Sequence, residues 1–137
     1  MQEIDYSKLK VLIVDDVLLN IKVVEKMISR YKFQIRTASN GQQALQAIKE
    51  EQPDLILLDL MMPIMDGFET LRRIRAGEAG NPNVIVIILS ALNSEKDIIR
   101  GMSLKANDFI TKPVIMQRLH NIIDKHLQAN IEQLNLS

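Results

Sequence analysis

Residues 55–63 read Leu55-Ile56-Leu57-Leu58-Asp59-Leu60-Met61-Met62-Pro63. Four consecutive apolar residues after Pro53-Asp54 form a run of strand length, and a run this short without alternation suits a strand buried on both faces. It ends in a carboxylate. The same design recurs three times: Val11-Leu12-Ile13-Val14 leads to Asp15-Asp16, Val84 to Leu89 leads to Ser90, and Phe109-Ile110-Thr111 leads to Lys112-Pro113. Strand ends thus supply three carboxylates, a hydroxyl and an ammonium. In an open parallel sheet the carboxyl ends of the strands share one edge, where ligands bind. Three carboxylates with one lysine suit a divalent cation and an oxyanion or phosphoryl group held against it.

Between these runs lie amphipathic stretches. The spacing predicts strands at Leu9 to Val14, Phe33 to Thr37, Leu55 to Leu58, Val84 to Leu89 and Asp108 to Thr111. Helices are predicted over Leu18 to Tyr31, from Asn40-Gly41, from Asp66-Gly67, over Ser94 to Leu104, and from Val114 to about Leu127. Gly77 to Asn83 is a loop. Five βα units with unbroken apolar strands predict an α/β fold, a parallel sheet covered by helices on both faces and joined by right-handed crossovers. At 137 residues, with no internal repeat or linker, one domain is expected.

Composition removes several function classes. Lys plus Arg equals Asp plus Glu at 17 each, so no basic face points to direct binding of nucleic acid. With no cysteine, disulfides, thiolate metal sites and a cysteine nucleophile are excluded. The opening Met1-Gln2-Glu3-Ile4-Asp5 lacks the character of a signal peptide, and no apolar run approaches the ~20 residues that cross a bilayer. A soluble, cytoplasmic chain without membrane insertion is expected.

Taken singly, each site residue has a plain explanation. An Asp between strand and helix is usually a helix cap, Ser90 could satisfy a turn, and Lys112 could be a surface lysine. Two adjacent acids are harder to explain, because only one can cap and the other adds repulsion. A cation held between them and Asp59 removes that conflict.

In this order and at these separations, Asp15-Asp16, Asp59, Ser90-Ala91 and Lys112-Pro113 resemble the receiver domain of two-component response regulators. The likeness covers about residues 9 to 127. Met61-Met62-Pro63 with Met65-Asp66-Gly67, and Asn107-Asp108-Phe109 ahead of Thr111-Lys112-Pro113, support it. The resemblance implies a flavodoxin-like (βα)5 sheet in the order 2-1-3-4-5, with a receiver domain over 1–127 and a helical extension or tail over 128–137. It implies that Asp59 is the phosphoacceptor, and that Mg2+ is held by Asp16, Asp59 and the Met61 carbonyl, with Asp15 acting through water. Lys112 and Ser90 would hold phosphoryl oxygens, and Phe109 would turn inward as Ser90 moves. The Lys112-Pro113 bond is expected to be cis.

The implied function is a phosphorylation-controlled switch rather than an enzyme, with the surface of the fourth helix, fifth strand and fifth helix read by a partner or output domain. The donor would be a sensor histidine kinase or a histidine phosphotransfer protein, and a phosphorylation-dependent homodimer is one output. The alternative is a phosphorelay intermediate that passes the group on. A dehalogenase-type phosphatase would need a second Asp where Met61 stands, and a nucleotide fold would need a glycine-rich turn in place of Asp15-Asp16-Val17.

Three departures from the family pattern stand out. Lys105 replaces a glycine that would end the fourth helix in a left-handed conformation, and Gly101 weakens the same helix. Val114-Ile115-Met116-Gln117-Arg118 lacks the phenylalanine and acid of receivers that form a salt-bridged dimer. Leu119, Ile123, Leu127, Ile131 and Leu134 carry a helical pattern past the expected boundary.

Overall fold

The computed structural model describes residues 4–131. A five-stranded parallel sheet has the order β2-β1-β3-β4-β5, with β1 (Lys10–Val14), β2 (Gln34–Ala38), β3 (Leu55–Leu58), β4 (Ile85–Ser90) and β5 (Asp108–Thr111). The helices are α1 (Leu18–Met27), α2 (Gly41–Glu50), α3 (Gly67–Arg75), α4 (Glu95–Ser103) and α5 (Met116–Ala129). The α/β class and strand order match the expectation. No helix among the described residues is long and apolar enough to cross a membrane.

Strand side chains alternate between two cores. Leu12, Val14, Ile56, Leu58, Val86 and Ile88 pack under α2, α3 and α4. Val11, Ile13, Leu55, Leu57, Ile87 and Ile110 pack under α1 and α5. All four residues of β3 are buried, because that strand has a neighbour on each side and a helical layer on each face. Polar caps fix where three helices begin: Asn40 Oδ1 accepts the Gln43 N–H, Asp66 Oδ1 the Glu69 N–H, and Ser94 Oγ the Asp97 N–H.

The first helix is shorter than its pattern. It stops at Met27, and Ser29–Tyr31 forms a 3-10 turn ending at Lys32, whose φ is 58°. Tyr31 is held by a distant contact: its hydroxyl donates to Asp124 Oδ1 on α5 at 2.9 Å. Burial, followed by the hydrogen bond to Asp124, raises the pKa of that hydroxyl.

The fourth helix ends in the left-handed conformation despite the lysine. Lys105 has φ 70°, its N–H donates to the Met102 carbonyl at 3.0 Å, and the Ala106 N–H donates to the Gly101 carbonyl at 3.2 Å. This is the Schellman pattern with a side chain where glycine is preferred. Lys105→Gly is therefore expected to stabilise the protein by about 1 kcal/mol in urea unfolding, and an unchanged midpoint would contradict the strain. Gly101 has a packing reason that the sequence alone hid. A Cβ there would lie 2.9 Å from Ile88 Cδ1 and 3.2 Å from the Phe109 ring, so glycine lets α4 approach the sheet.

The apolar pattern of the last helix is borne out at Leu119, Ile123 and Leu127, all fully buried. The helix ends at Ala129 and Ile131 is half-buried; the expectation for Leu134 falls outside the described residues.

Candidate phosphoryl and metal site

β1 and β3 lie side by side while β2 sits on the far edge of β1, so the chain changes direction at the carboxyl ends of β1 and β3. Both carboxylate segments leave the sheet at this switch point. Backbone pairing continues one residue beyond each strand. The Asp15 N–H donates to the Ala38 carbonyl at 3.1 Å, the Asp59 N–H to Val14 at 2.9 Å, and the Lys112 N–H to Ser90 at 2.7 Å. Site side chains are thereby fixed to rigid strands instead of mobile loops.

Asp15, Asp16 and Asp59 each bring a carboxylate oxygen within 4.8 Å of the others. Asp15 and Asp59 are buried and Asp16 is exposed. Lys112 reaches across from β5, its Nζ 3.1 Å from Asp15 Oδ2 and 3.7 Å from Asp59 Oδ2. Neither acid of the pair caps α1 with its side chain, and the cap position is Val17. Asp15 Oδ1 instead accepts the Val17 N–H at 2.9 Å and the Asn20 amide at 3.4 Å. The Lys112–Pro113 bond is cis.

Ser90 is fully buried at the end of β4, and its Oγ accepts the Leu92 N–H at 3.1 Å. Phe109 is buried, with its ring against Gly101 of α4. The Met61 N–H lies 3.4 Å from Asp59 Oδ1, while its side chain is exposed. Asn20 escaped the sequence reading; its place five residues after Asp15, one turn into the following helix, was the available signal. Arg100 escaped it too. Its guanidinium lies 4.0 Å from the centre of the buried Phe68 ring, beside a cleft of about 570 Å³ shared by Asp16, Met61, Met62 and Leu92.

Three carboxylates face one lysine, so the cluster holds an excess of negative charge. Burial raises the Asp59 pKa above the ordinary carboxylate value, Asp15 raises it further, and Lys112 opposes both. An all-oxygen donor set with one solvent-facing member fits a hard divalent cation that keeps part of its water shell. A carboxylate whose folded pKa is raised favours folding below its unfolded value. That contribution fades as pH rises through the folded value, so ionised Asp59 costs stability at neutral pH. Asp59→Asn is thus expected to raise the metal-free Tm at pH 7 and to lose that gain below about pH 3. Thermal melts at both pH values check this, and an equal or lower Tm at pH 7 would contradict it.

Residues 11–124 match the response regulator receiver domain family. The chain belongs to this family. Response regulator PleD of Caulobacter vibrioides is 35% identical over 77% of the chain and 23% of its own length. A probable transcriptional regulator, ycf27 of Guillardia theta, is 39% identical over 78% of the chain and 41% of its own length. The chain spans about a quarter to a half of the curated relatives it matches. Among solved structures, the CheX–CheY–BeF3–Mg complex of Borrelia burgdorferi aligns with TM-score 0.81 and 30% identity, over 87% of this chain and 89% of that one. As a receiver domain, the chain belongs to a family of phosphoacceptor modules of two-component signalling.

Proposed function

We propose that Asp59 accepts a phosphoryl group from the phosphohistidine of a sensor histidine kinase or a histidine phosphotransfer protein. The observation that carries this reading is the buried Asp59 carboxylate set against Lys112 at 3.7 Å and within reach of two further carboxylates. An Asp59 carboxylate oxygen forms a bond to phosphorus as the phosphorus–nitrogen bond breaks, and the electron pair stays on the imidazole. Lys112 meets one phosphoryl oxygen and keeps Asp59 ionised. Ser90 donates its hydroxyl proton to another oxygen, a role left open by the Leu92 N–H, which uses only Oγ as an acceptor. The residues to hold Mg2+ are Asp16, Asp59 and the Met61 carbonyl, with Asp15 acting through water, and bound Mg2+ supplies charge neutralisation for the transferring group. The relative from Borrelia burgdorferi, whose complex contains Mg and BeF3, supports this assignment.

The mark is reversible because an acyl phosphate is hydrolysed by water. Its effect would pass from Ser90 along β4 and β5 to Phe109, which packs against Gly101 of α4. α4 is loosely held, since Gly101 is its one buried residue, so its position responds to small changes beneath it. The α4, β5 and α5 surface is the proposed output, read by a partner, by an attached domain or by a second copy in a phosphorylation-dependent homodimer. No direct contact with nucleic acid is proposed, and the setting proposed is the cytoplasm.

Incubation with Mg2+ and acetyl phosphate or phosphoramidate, followed by intact mass, tests the reading. Expected is one phosphoryl adduct, absent with a chelator and absent in Asp59→Asn. No adduct with either donor would contradict it. The exposed Met61 and half-buried Leu92 line the cleft beside Asp16 and give an attacking water no polar anchor. Slow self-hydrolysis is therefore expected, shortened severalfold when both are replaced by polar residues. An adduct lifetime unchanged in that double variant would rule this out.

A further inference from the structure

Arg75, the last residue of α3, spreads its guanidinium across two other segments, the loop before β4 and the loop between α4 and β5. Its Nε donates to the Lys105 carbonyl at 3.0 Å, its Nη1 to the carbonyls of Pro82 at 2.9 Å and Val84 at 2.7 Å, and its Nη2 to Asn107 Oδ1 at 3.0 Å. All four acceptors are neutral. Among the described residues no carboxylate forms an ion pair with it. Burial alone pushes its pKa down, with no acid opposing that effect. A guanidinium has five N–H donors, so one on Nη2 is still free. This is a half-desolvated cation without a counter-charge.

A cleft of about 230 Å³ opens over this group, between the ends of α3 and α4 and the loop before β4. Arg72, Asn83, Ser103 and Lys105 share its lining, and no acidic residue does. Lys105 is the residue held at φ 70°, where glycine would be relaxed. A positive side chain is thus kept on the cleft at a conformational cost. Arg72 is paired with Glu69 at 2.6 Å, but Glu69 also accepts from Arg73 at 2.9 Å, so that trio is still positive. Glu78 is the other acid near Arg72. Around the cleft the cations outnumber the acids.

We propose that this cleft binds a small oxyanion of the phosphate class, held by the guanidiniums of Arg75 and Arg72 and the ammonium of Lys105. Two guanidiniums from α3 and an ammonium from the turn after α4 line one cleft, and a dianion of the phosphate class meets that excess of positive charge better than a monoanion. The Ser103 hydroxyl and Asn83 amide add neutral donors at the rim. The site lies at the edge of the sheet opposite Asp59, because α3 ends and β4 begins there, and it does not depend on the phosphoacceptor reading.

The test is an amide and Arg Nε–H NMR titration of the full chain with inorganic phosphate, at constant ionic strength and with a chelator present to silence the Asp59 cluster. Expected are saturable shifts at the Arg75 Nε–H and at the backbone amides of Ser103 and Lys105. Lys105→Gly relieves backbone strain, so a loss of binding in that variant is not a loss of fold. It should weaken affinity about tenfold, the value of one charged hydrogen bond. A parallel titration with AMP separates the sources: tighter binding than phosphate means an organic phosphate is the ligand, and equal binding means the free ion. Shifts that never saturate, shifts reproduced by chloride, or an affinity unchanged in Lys105→Gly would overturn the proposal.

Discussion

Lys112→Ala is expected to slow phosphoryl uptake from a small donor by about a hundredfold, the scale of removing one preorganised charge partner from a transition state. Lys112 is the one cation that contacts the cluster among the described residues, touching both Asp15 and Asp59. Without it, burial and Asp15 raise the Asp59 pKa with no opposing charge, and the carboxylate loses its stabilising partner. The transferring oxygens also lose a partner. Lys112→Arg should recover little, because a planar guanidinium cannot occupy the place of a compact ammonium between two carboxylates. Time courses of adduct formation by mass measure this effect, and charging of Lys112→Ala at the wild-type rate would remove the lysine from the mechanism.

Gly67→Ala is expected to cost roughly 3 kcal/mol or more, beyond the ordinary penalty for an added methyl in a packed core. A Cβ on Gly67 would lie 2.3 Å from the Asp59 carbonyl oxygen and 2.6 Å from Leu60 Cα. Both are backbone atoms of the segment that carries Asp59, so relief comes only by moving that segment or the start of α3. The Gly67 N–H donates to the Leu60 carbonyl at 2.9 Å, and that bond would be lost with the movement. Urea unfolding checks the stability. A midpoint near that of wild type would show that the contact relaxes freely, and a fold retained with slow charging would show displacement of Asp59 itself.

The strands and the site acids were legible because they rest on local chemistry. A short unbroken apolar run such as Leu55 to Leu58, set off by Pro53-Asp54, suits a doubly covered strand, and its end then sets where Asp59 lies. Asp66 and Ser94 announce helix starts because a capping side chain accepts from a backbone N–H only three residues on. Distant contacts were not legible. Tyr31 breaks away from α1 because Asp124, some ninety residues on, holds its hydroxyl. Gly101 read as a weak point, yet it is there so that Ile88 and Phe109 can meet α4.

The site shows the same division. The sequence offers Asp15 as a cap or a ligand, and the structure gives it a turn to Val17, an amide from Asn20 and an ion pair with Lys112. Each of those partners comes from a different element or from loop geometry. Arg75 gives no sign in the sequence that it would bind four acceptors on two separate loops. Lys105 stands where the family pattern has glycine, and it holds the left-handed conformation that suits glycine with a charged side chain on it.

Chemical localisation of the phosphoryl group is the most direct test that Asp59 is the acceptor. The protein is charged with acetyl phosphate and Mg2+ and treated with borohydride, which reduces an acyl phosphate to an alcohol and so converts the aspartyl phosphate to homoserine. Peptide mass sequencing then finds the altered position. Homoserine at position 59 alone is expected, and homoserine at position 15 or 16, or an adduct that resists borohydride because it sits on Ser90 or a histidine, would contradict it.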